Sequence, residues 1–144
     1  MQNKEMLEKL AASFGTALKI EADNFYDILV IEREKLHELC DILKNEWGFN
    51  YLVNLSSVDY KDRFEVIYHI HSIPENNKIA VKTVLDRDNP TVSTVSDIWK
   101  TADWQEREVY DLMGINFAGH PNLIRILLPD DFVGHPLRKD FKIN

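Results

Sequence analysis

The chain has 144 residues, enough for one domain that buries about two-thirds of its unfolded surface without disulfides or metals. Lys and Arg number 17 against 24 Asp and Glu, and the formal charge of −7 argues against a nucleic-acid or anionic-lipid surface. The single cysteine excludes an internal disulfide and an iron–sulfur cluster held by four thiolates of this chain.

Hydropathy indicates neither a membrane span nor a targeting segment. A spanning helix needs about 18 consecutive apolar residues, and the longest apolar run here is residues 28–31. The first ten residues, MQNKEMLEKL, lack the basic and apolar regions of a leader. We therefore expect a cytosol-like compartment.

Periodicity in the first third of the chain predicts a helix, a strand and a second helix. Apolar residues at helical spacing predict an amphipathic helix over residues 3–14. A β-branched run predicts a strand over residues 27–32, and an apolar stripe over residues 36–47, ended by Gly48, predicts the second helix. Because Cys40 lies on that stripe, we expect a core residue rather than a nucleophile.

Three strand-like stretches follow, at residues 51–58, 63–72 and 78–85, with turn-like sequences between them. They predict an antiparallel meander. In the middle strand His69 and His71 project on the same side, opposite the apolar set. We expect a polar outer face there, because zinc would need a third ligand that the neighbouring sequence does not supply.

A third helix is predicted from Asp103 to the residue before Gly114, with Asp103 and Glu106 as a capping-box pair. The predicted order is helix, strand, helix, three strands, helix. The fold class is therefore α+β, with helices packed on a largely antiparallel sheet (a βαβββ-like core), followed by a helix and an extended C-terminal tail. The expected division is an α+β domain over residues 1–116 and a docking tail over residues 117–144.

The third helix carries a charged stripe that admits two interpretations. Arg107 and Asp111, four residues apart, fit a local ion pair on a solvated face, and the same charges fit docking to another protein. Nucleotide-binding, thiol and nucleophile-elbow motifs are absent from the sequence. Paired carboxylates can act as general acid and base, but that role needs a cleft which the sequence does not indicate.

The tail repeats Gly-His-Pro around His120 and His135, with Asp130 and Asp131 between them. Two histidines and two aspartates can build a zinc or iron site, yet Gly and Pro beside each His suit a fixed turn equally well. The tail's basic residues are better explained as partners for carboxylates on a neighbouring protein; they are Arg125, Arg138 and Lys139. Spaced apolar residues complete the clamp: Leu127, Leu128, Leu137 and Phe141.

Two segments carry a family resemblance: ADWQEREVYDLMGINFAGHP (102–121) and RILLPDDFVGHPLRKDF (125–141). They resemble the family of the 30-kilodalton subunit, or C subunit, of respiratory complex I, the NADH:quinone oxidoreductase. The similarity extends back through SSVDY (56–60), FEVIYHIHS (64–72) and residues 94–99.

The resemblance implies a non-catalytic member of the peripheral arm that scaffolds the quinone-site and cluster-bearing subunits. Those partners serve electron transfer from NADH to quinone, coupled to ion translocation. No cofactor and no catalytic residue is expected in this chain, since flavin, iron–sulfur clusters and quinone would belong to partner subunits. The expected partners are the large quinone-site subunit and the small cluster-bearing subunit. The expected place is the cytoplasmic side of the cell membrane, reached only through those partners.

The resemblance and the tail chemistry together predict a set of partner-docking residues. They are Glu106, Arg107, Glu108, Asp111, His120, Pro121, Arg125, Pro129, Asp130, Asp131, His135, Pro136, Leu137, Arg138, Lys139, Asp140 and Phe141. Two departures from the family pattern bear on docking. Ile124 stands where the family usually has a basic residue, and residues 142–144 replace a longer tail after the final aromatic.

Two alternatives stay open at this point. The same module occurs in membrane-bound energy-converting hydrogenases, formate hydrogenlyases and deazaflavin-dependent dehydrogenases. A different class is a free-standing metal-dependent hydrolase using the histidines and aspartates of the two Gly-His-Pro segments.

Overall fold

The computed structural model describes residues 3–142. Within them the chain forms three α-helices, at Lys4–Phe14 (α1), Leu36–Trp47 (α2) and Thr101–Met113 (α3). The longer strands are Leu18–Ala22 (β1), Asp27–Ile31 (β2), Tyr51–Asp59 (β3), Arg63–Ser72 (β4) and Asn77–Asp86 (β5), and two short ones are Thr91–Ser93 (β6) and Asn116–Ala118 (β7). Short 3-10 turns at Gly15–Ala17 and Arg33–Lys35 precede β1 and α2.

The first five strands form one sheet in the order β1-β2-β5-β4-β3. Only the central pair, β2 and β5, is parallel; the other three pairs are antiparallel. The predicted α+β class is confirmed, and so is the meander of β3, β4 and β5. In the chain, α2, β3 and β4 come between β2 and β5. Strand β5 then lies between β4 and β2 in the sheet and runs parallel to β2.

One face of this sheet carries the core. Alternate residues of β4, from Phe64 to Ile70, have no exposed surface, as a half-buried strand requires. Apolar side chains of α1 and α2 close the other side of the core, and Cys40 is fully buried among them as predicted.

Helix α3 covers the free edge of the sheet along β3. Gln105 Oε1 accepts a hydrogen bond from Leu55 N at 2.6 Å, and Thr101 Oγ1 donates to Leu52 O at 3.1 Å. The edge groups of β3 are therefore paired with side chains, which protects an otherwise open strand.

Strand β6 precedes α3 in the chain and β7 follows it, and the two strands pair in parallel. This pairing fixes where the chain goes after the helix. Neither short strand nor β1 was predicted from the sequence. The capping box was also predicted wrongly. Helix α3 begins at Thr101, and its N-cap residue, Lys100, makes no side-chain capping hydrogen bond. In the described part of the chain no helix is long and apolar enough to cross a membrane. Ile143 and Asn144, at the end of the predicted tail, lie outside the described residues.

Candidate functional site

The C-terminal segment, defined here as residues 119–142, contains no helix or strand, yet it is bonded to the end of α3. Residues of the segment satisfy the last three backbone carbonyls of the helix, which lack partners inside it. The bonds are His135 Nδ1 to Asp111 O (3.0 Å), Leu137 N to Leu112 O (3.0 Å) and Arg138 Nε to Met113 O (2.7 Å). A cationic donor here is also favoured by the negative end of the helix dipole.

Asp111 is the main anchor of the C-terminal segment, and its side chain is completely buried. Its Oδ1 accepts from the Arg125 guanidinium at 2.8 Å. Its Oδ2 accepts from three successive backbone N–H groups, those of Ile126 (3.0 Å), Leu127 (2.7 Å) and Leu128 (3.0 Å). Such a run of N–H groups forms a concave anion-binding nest, here filled by a carboxylate of the same chain.

These contacts decide the charge of Asp111. Burial alone raises the pKa of a carboxyl group, but the three N–H donors and Arg125 outweigh it and hold the pKa of Asp111 below 3.8. Asp111 is therefore ionised at neutral pH and fixes the path of residues 125–128.

Two glycines allow close contacts, one between the helix and the segment and one within the segment. Gly114 ends α3 with φ of +74°, and a Cβ there would lie 2.6 Å from His135 and 2.7 Å from Arg138. Gly134 has φ of +99°, and a Cβ there would lie 2.9 Å from Phe141. A larger residue at position 114 would push the segment away from the helix, and one at position 134 would disturb a contact within the segment.

Asp59, at the end of β3, forms a second anchor, and its side chain is almost fully buried. Arg87 donates to both of its oxygens, and Lys139 N donates to Oδ2 at 2.8 Å. Arg87 also lies 3.2 Å from Asp140 Oδ1. Burial would raise the pKa of Asp59, but these donors lower it far below its ordinary value.

Asp59 and Arg87 are site residues that were not predicted, although Asp59 lies in the 56–60 stretch that carries the resemblance. Arg87 and Arg138 lie over the ring of Phe64, with guanidinium carbons 4.9 and 5.0 Å from its centroid. No local pattern relates these residues, because they come from β3, β4, the chain after β5 and the C-terminal segment.

Glu106 corrects the predicted capping box. Its side chain has no exposed surface, and it points away from the start of α3 toward the β6–α3 connection. Thr94 Oγ1 donates to its Oε1 at 2.5 Å and Val95 N to its Oε2 at 2.9 Å. Desolvation outweighs these two bonds and, with nearby Asp103, raises the pKa of Glu106 to about 7.

The interpretation of the α3 stripe as a solvated face with an Arg107–Asp111 ion pair is wrong. Asp111 pairs with Arg125 instead, because that partner completes a buried set of donors. Arg125 and Arg138, predicted to serve carboxylates of another protein, bond to groups of this chain.

The predicted docking residues divide into three classes by burial. The side chains of Glu106, Asp111 and His120 are fully buried and do not reach the surface. Half-buried positions are Arg107, Glu108, Arg125, His135, Pro136, Arg138 and Phe141. Exposed positions are Pro121, Pro129, Asp130, Asp131, Leu137, Lys139 and Asp140.

The metal arrangements considered as alternatives from the sequence do not form among the described residues. Within residues 3–142, no three His, Cys, Asp or Glu side chains lie close enough together to hold an ion. Both nitrogens of His120 are bonded to the chain, Nε2 to Asp103 O at 3.1 Å and Nδ1 to Asn122 N at 2.9 Å. His135 is committed to the end of α3.

The C-terminal segment presents apolar side chains outward. Ile124 is 48% exposed, Leu127 54%, Val133 89% and Leu137 60%. Val133 was not among the predicted residues. Spaced large apolar side chains on an ordered, irregular segment are typical of a protein interface.

Comparison with known proteins relates these features to a family. The sequence model described as "Respiratory-chain NADH dehydrogenase, 30 Kd subunit" matches residues 29–144. The C subunit of an NADH-quinone oxidoreductase from Moorella thermoacetica is 50% identical over 117 residues, covering 80% of this chain and 79% of that protein. Its counterpart from Geotalea uraniireducens is 41% identical over 147 residues, covering 99% and 89%.

Solved structures share the fold. A trypsin-resistant fragment of Nqo5 superposes with a TM-score of 0.76 at 32% identity, covering 85% of this chain and all of that fragment. A chain of a membrane-bound sulfane sulfur reductase, an archaeal respiratory membrane complex, superposes with a TM-score of 0.83 at 24% identity, covering 99% and 87%. The second likeness concerns the fold alone.

Proposed function

Because the chain belongs to the respiratory-chain NADH dehydrogenase 30 Kd subunit family, we propose that it is the C subunit of an NADH-quinone oxidoreductase. In this role it performs no chemistry itself. It holds other subunits in register while they pass electrons from NADH to quinone, coupled to ion translocation.

The observation that carries this proposal is the anchored C-terminal segment. Asp111 and Asp59 bond it at two places, on α3 and at the end of β3. Between and beyond those anchors its apolar side chains stay exposed. A segment already held in one conformation loses little entropy on binding, so residues 119–142, which make up most of the predicted docking tail, suit that role.

The partners in this proposal are the large quinone-site subunit and the small cluster-bearing subunit. The outward row of Ile124, Leu127, Val133 and Leu137 supports an apolar contact. Exposed Asp130, Asp131 and Lys139 beside that row supply a polar rim. Flavin, iron–sulfur clusters and quinone lie in the partners, and the chain sits on the cytoplasmic side of the cell membrane through them.

The test is affinity purification of the tagged full chain from native, detergent-solubilised membranes, with mass-spectrometric identification of what accompanies it. Quinone-site, cluster-bearing, flavin and NADH-binding subunits in fixed ratio are the expected result. Recovery of hydrogenase, formate-oxidising or deazaflavin-dependent subunits would support the scaffold role but place the chain in a different enzyme complex. Recovery of the chain alone would contradict the proposal.

A further inference from the structure

Helix α3 carries an exposed aromatic residue outside the C-terminal segment. Trp104 is 52% exposed. Its ring is held in place, since Nε1 donates to Glu108 Oε1 at 2.8 Å and the guanidinium carbon of Arg107 lies 5.2 Å from the ring centroid. An exposed tryptophan fixed in this way resembles the anchors that dominate protein interfaces.

Two of the three acidic residues near Arg107 on α3 bond elsewhere, and within residues 3–142 the third, Asp103, has an Oδ1 atom without a hydrogen-bond partner. Asp103, four residues before it, lies 3.2 Å from His120 Nε2. Asp111, four residues after it, bonds to Arg125. Glu108 bonds to Trp104. Helical spacing would allow Asp103 and Asp111 to pair with Arg107, and neither does.

Among residues 3–142 the Arg107 guanidinium has no hydrogen-bond acceptor. Its Nε is buried and has no hydrogen-bond partner, and among the described residues no carboxylate lies within the 4.0 Å that defines an ion pair. The guanidinium lies over the ring of Trp104, and the Arg107 side chain is half-exposed. A planar, oriented guanidinium is suited to two parallel bonds with a carboxylate.

We propose that Trp104 and Arg107 form a docking site for a carboxylate-bearing segment of a neighbouring subunit. An Asp or Glu of that segment accepts hydrogen bonds from the terminal nitrogens of Arg107. An apolar group beside it packs on the open face of Trp104. This site deepens the proposed function, on which it rests, and it is separate from the C-terminal segment.

Charge supports this choice of partner. The chain carries −7 overall, so its surface in general repels acidic segments. Among residues 3–142 the Arg107 guanidinium pairs with no carboxylate, so it offers such a segment a favourable position. Desolvation at the contact strengthens the pair, because charge-assisted bonds are stronger away from water.

The first test uses the tagged full chain in native membranes with R107E, R107K and the control K35E. Lys35 is an exposed cation of the turn before α2. We expect R107E to lower recovery of neighbouring subunits about tenfold at about 150 mM salt, R107K to lower it less, and K35E to leave it unchanged. Thermal unfolding of each variant checks the fold, and R107K keeps the test valid if R107E is unstable.

The second test replaces Trp104 with photo-reactive p-benzoylphenylalanine in the same membranes. The expected product joins residue 104 to a peptide of a neighbouring subunit, and that peptide contains Asp or Glu. Wild-type recovery with R107E, or a cross-linked peptide without an acidic residue, would overturn the docking site. If the wild-type chain brings down no subunit, the proposed function fails instead, so the two failures are distinguishable.

Discussion

Three buried carboxylates show how neighbouring groups decide the state of an acid. Asp59 and Asp111 each meet an arginine and backbone N–H donors, and their pKa values are lowered although burial opposes this. Glu106 has two donors and no cation among its bonds, so burial prevails and its pKa rises to about 7. The first two hold the C-terminal segment as anions. Glu106, with a pKa of about 7, is partly protonated near neutral pH and holds the connection between β6 and α3.

Replacing Asp111 by Asn tests the main anchor. The amide cannot accept from the three N–H groups and Arg125 together, so buried donors lose their partner, and we expect a loss of about 3 kcal/mol in the free energy of unfolding. Urea unfolding measures this, and limited proteolysis should cut residues 119–142 first. The control D130N, at an exposed position of the same segment, should change stability by less than about 0.5 kcal/mol.

Glu106 predicts a pH dependence with a definite sign. Its pKa of about 7 in the fold lies above the ordinary 4.5, so the folded chain keeps a proton that the unfolded chain releases. The stabilisation is complete below pH 4.5 and is lost as the pH rises through 7. Its size is about 3 kcal/mol.

The measurement is urea unfolding of wild type and E106Q across this pH range. The difference in unfolding free energy between them should change by about 3 kcal/mol, since the amide does not titrate. Parallel curves for the two proteins would show that Glu106 titrates normally.

Sequence alone identifies some of these residues and misses their roles. Glu106 and Asp111 attract attention as charges on α3, but helical spacing pairs them with residues of the same helix. Their actual partners are Thr94, Val95 and residues 125–128. Only the path of the chain after α3 brings these groups together, and no local pattern encodes that path.

At the scale of elements, the C-terminal end of α3 is the platform on which the segment lies. Its last carbonyls, the glycine that ends it and the Asp111 carboxylate all face residues 125–138. The helix therefore has two uses: its buried side covers the edge of β3, and its end fixes the route of the segment.

Gly114 and Gly48 provide a matched pair for testing this platform. Both end a helix, with φ of +74° and +75°, but a Cβ at Gly48 meets nothing within 4 Å while one at Gly114 meets His135 and Arg138. We expect G48A to cost about 1 kcal/mol from backbone strain alone, and G114A about 3 kcal/mol because overpacking is added. Urea unfolding compares them, and equal costs would mean that the segment does not lie against Gly114.

Elements with strong periodicity were predicted well. The helices α1 and α2 and the strands β3, β4 and β5 lie within one or two residues of their predicted bounds, since each combines a regular apolar pattern with a clear end signal. The strands β6 and β7 were missed because three residues carry too little pattern. Strand β1, five residues long like β2, was missed because Lys19 and Glu21 interrupt its apolar residues, whereas β2 has a continuous apolar run. The parallel pairing of β2 with β5 is a long-range contact that no local pattern indicates.

At the scale of the molecule, we propose that the sheet domain and the irregular segment have separate tasks. The domain buries the core, and few of its core residues come from beyond β7. The segment contributes bonds to α3 and β3 and leaves four large apolar side chains exposed, those of Ile124, Leu127, Val133 and Leu137. Damage to the segment should therefore affect assembly more than folding.

Truncation after Pro129 separates these tasks. It keeps Arg125 and the three N–H groups on Asp111 and removes exposed Val133, exposed Leu137 and the Lys139 bond to Asp59. We expect the shortened chain to unfold cooperatively in urea, at lower stability than the full chain. Circular dichroism tests this, and a chain without a cooperative transition would show that the segment is part of the fold.

The most direct test of the scaffold role measures assembly with the same truncated chain. Tagged full-length and truncated proteins are purified from native, detergent-solubilised membranes, and the accompanying subunits are quantified by mass spectrometry. The full chain should bring down quinone-site and cluster-bearing subunits. With the folded truncated chain, recovery of these subunits should be lower by about tenfold or more. Equal recovery with both chains would contradict a docking role for the C-terminal segment.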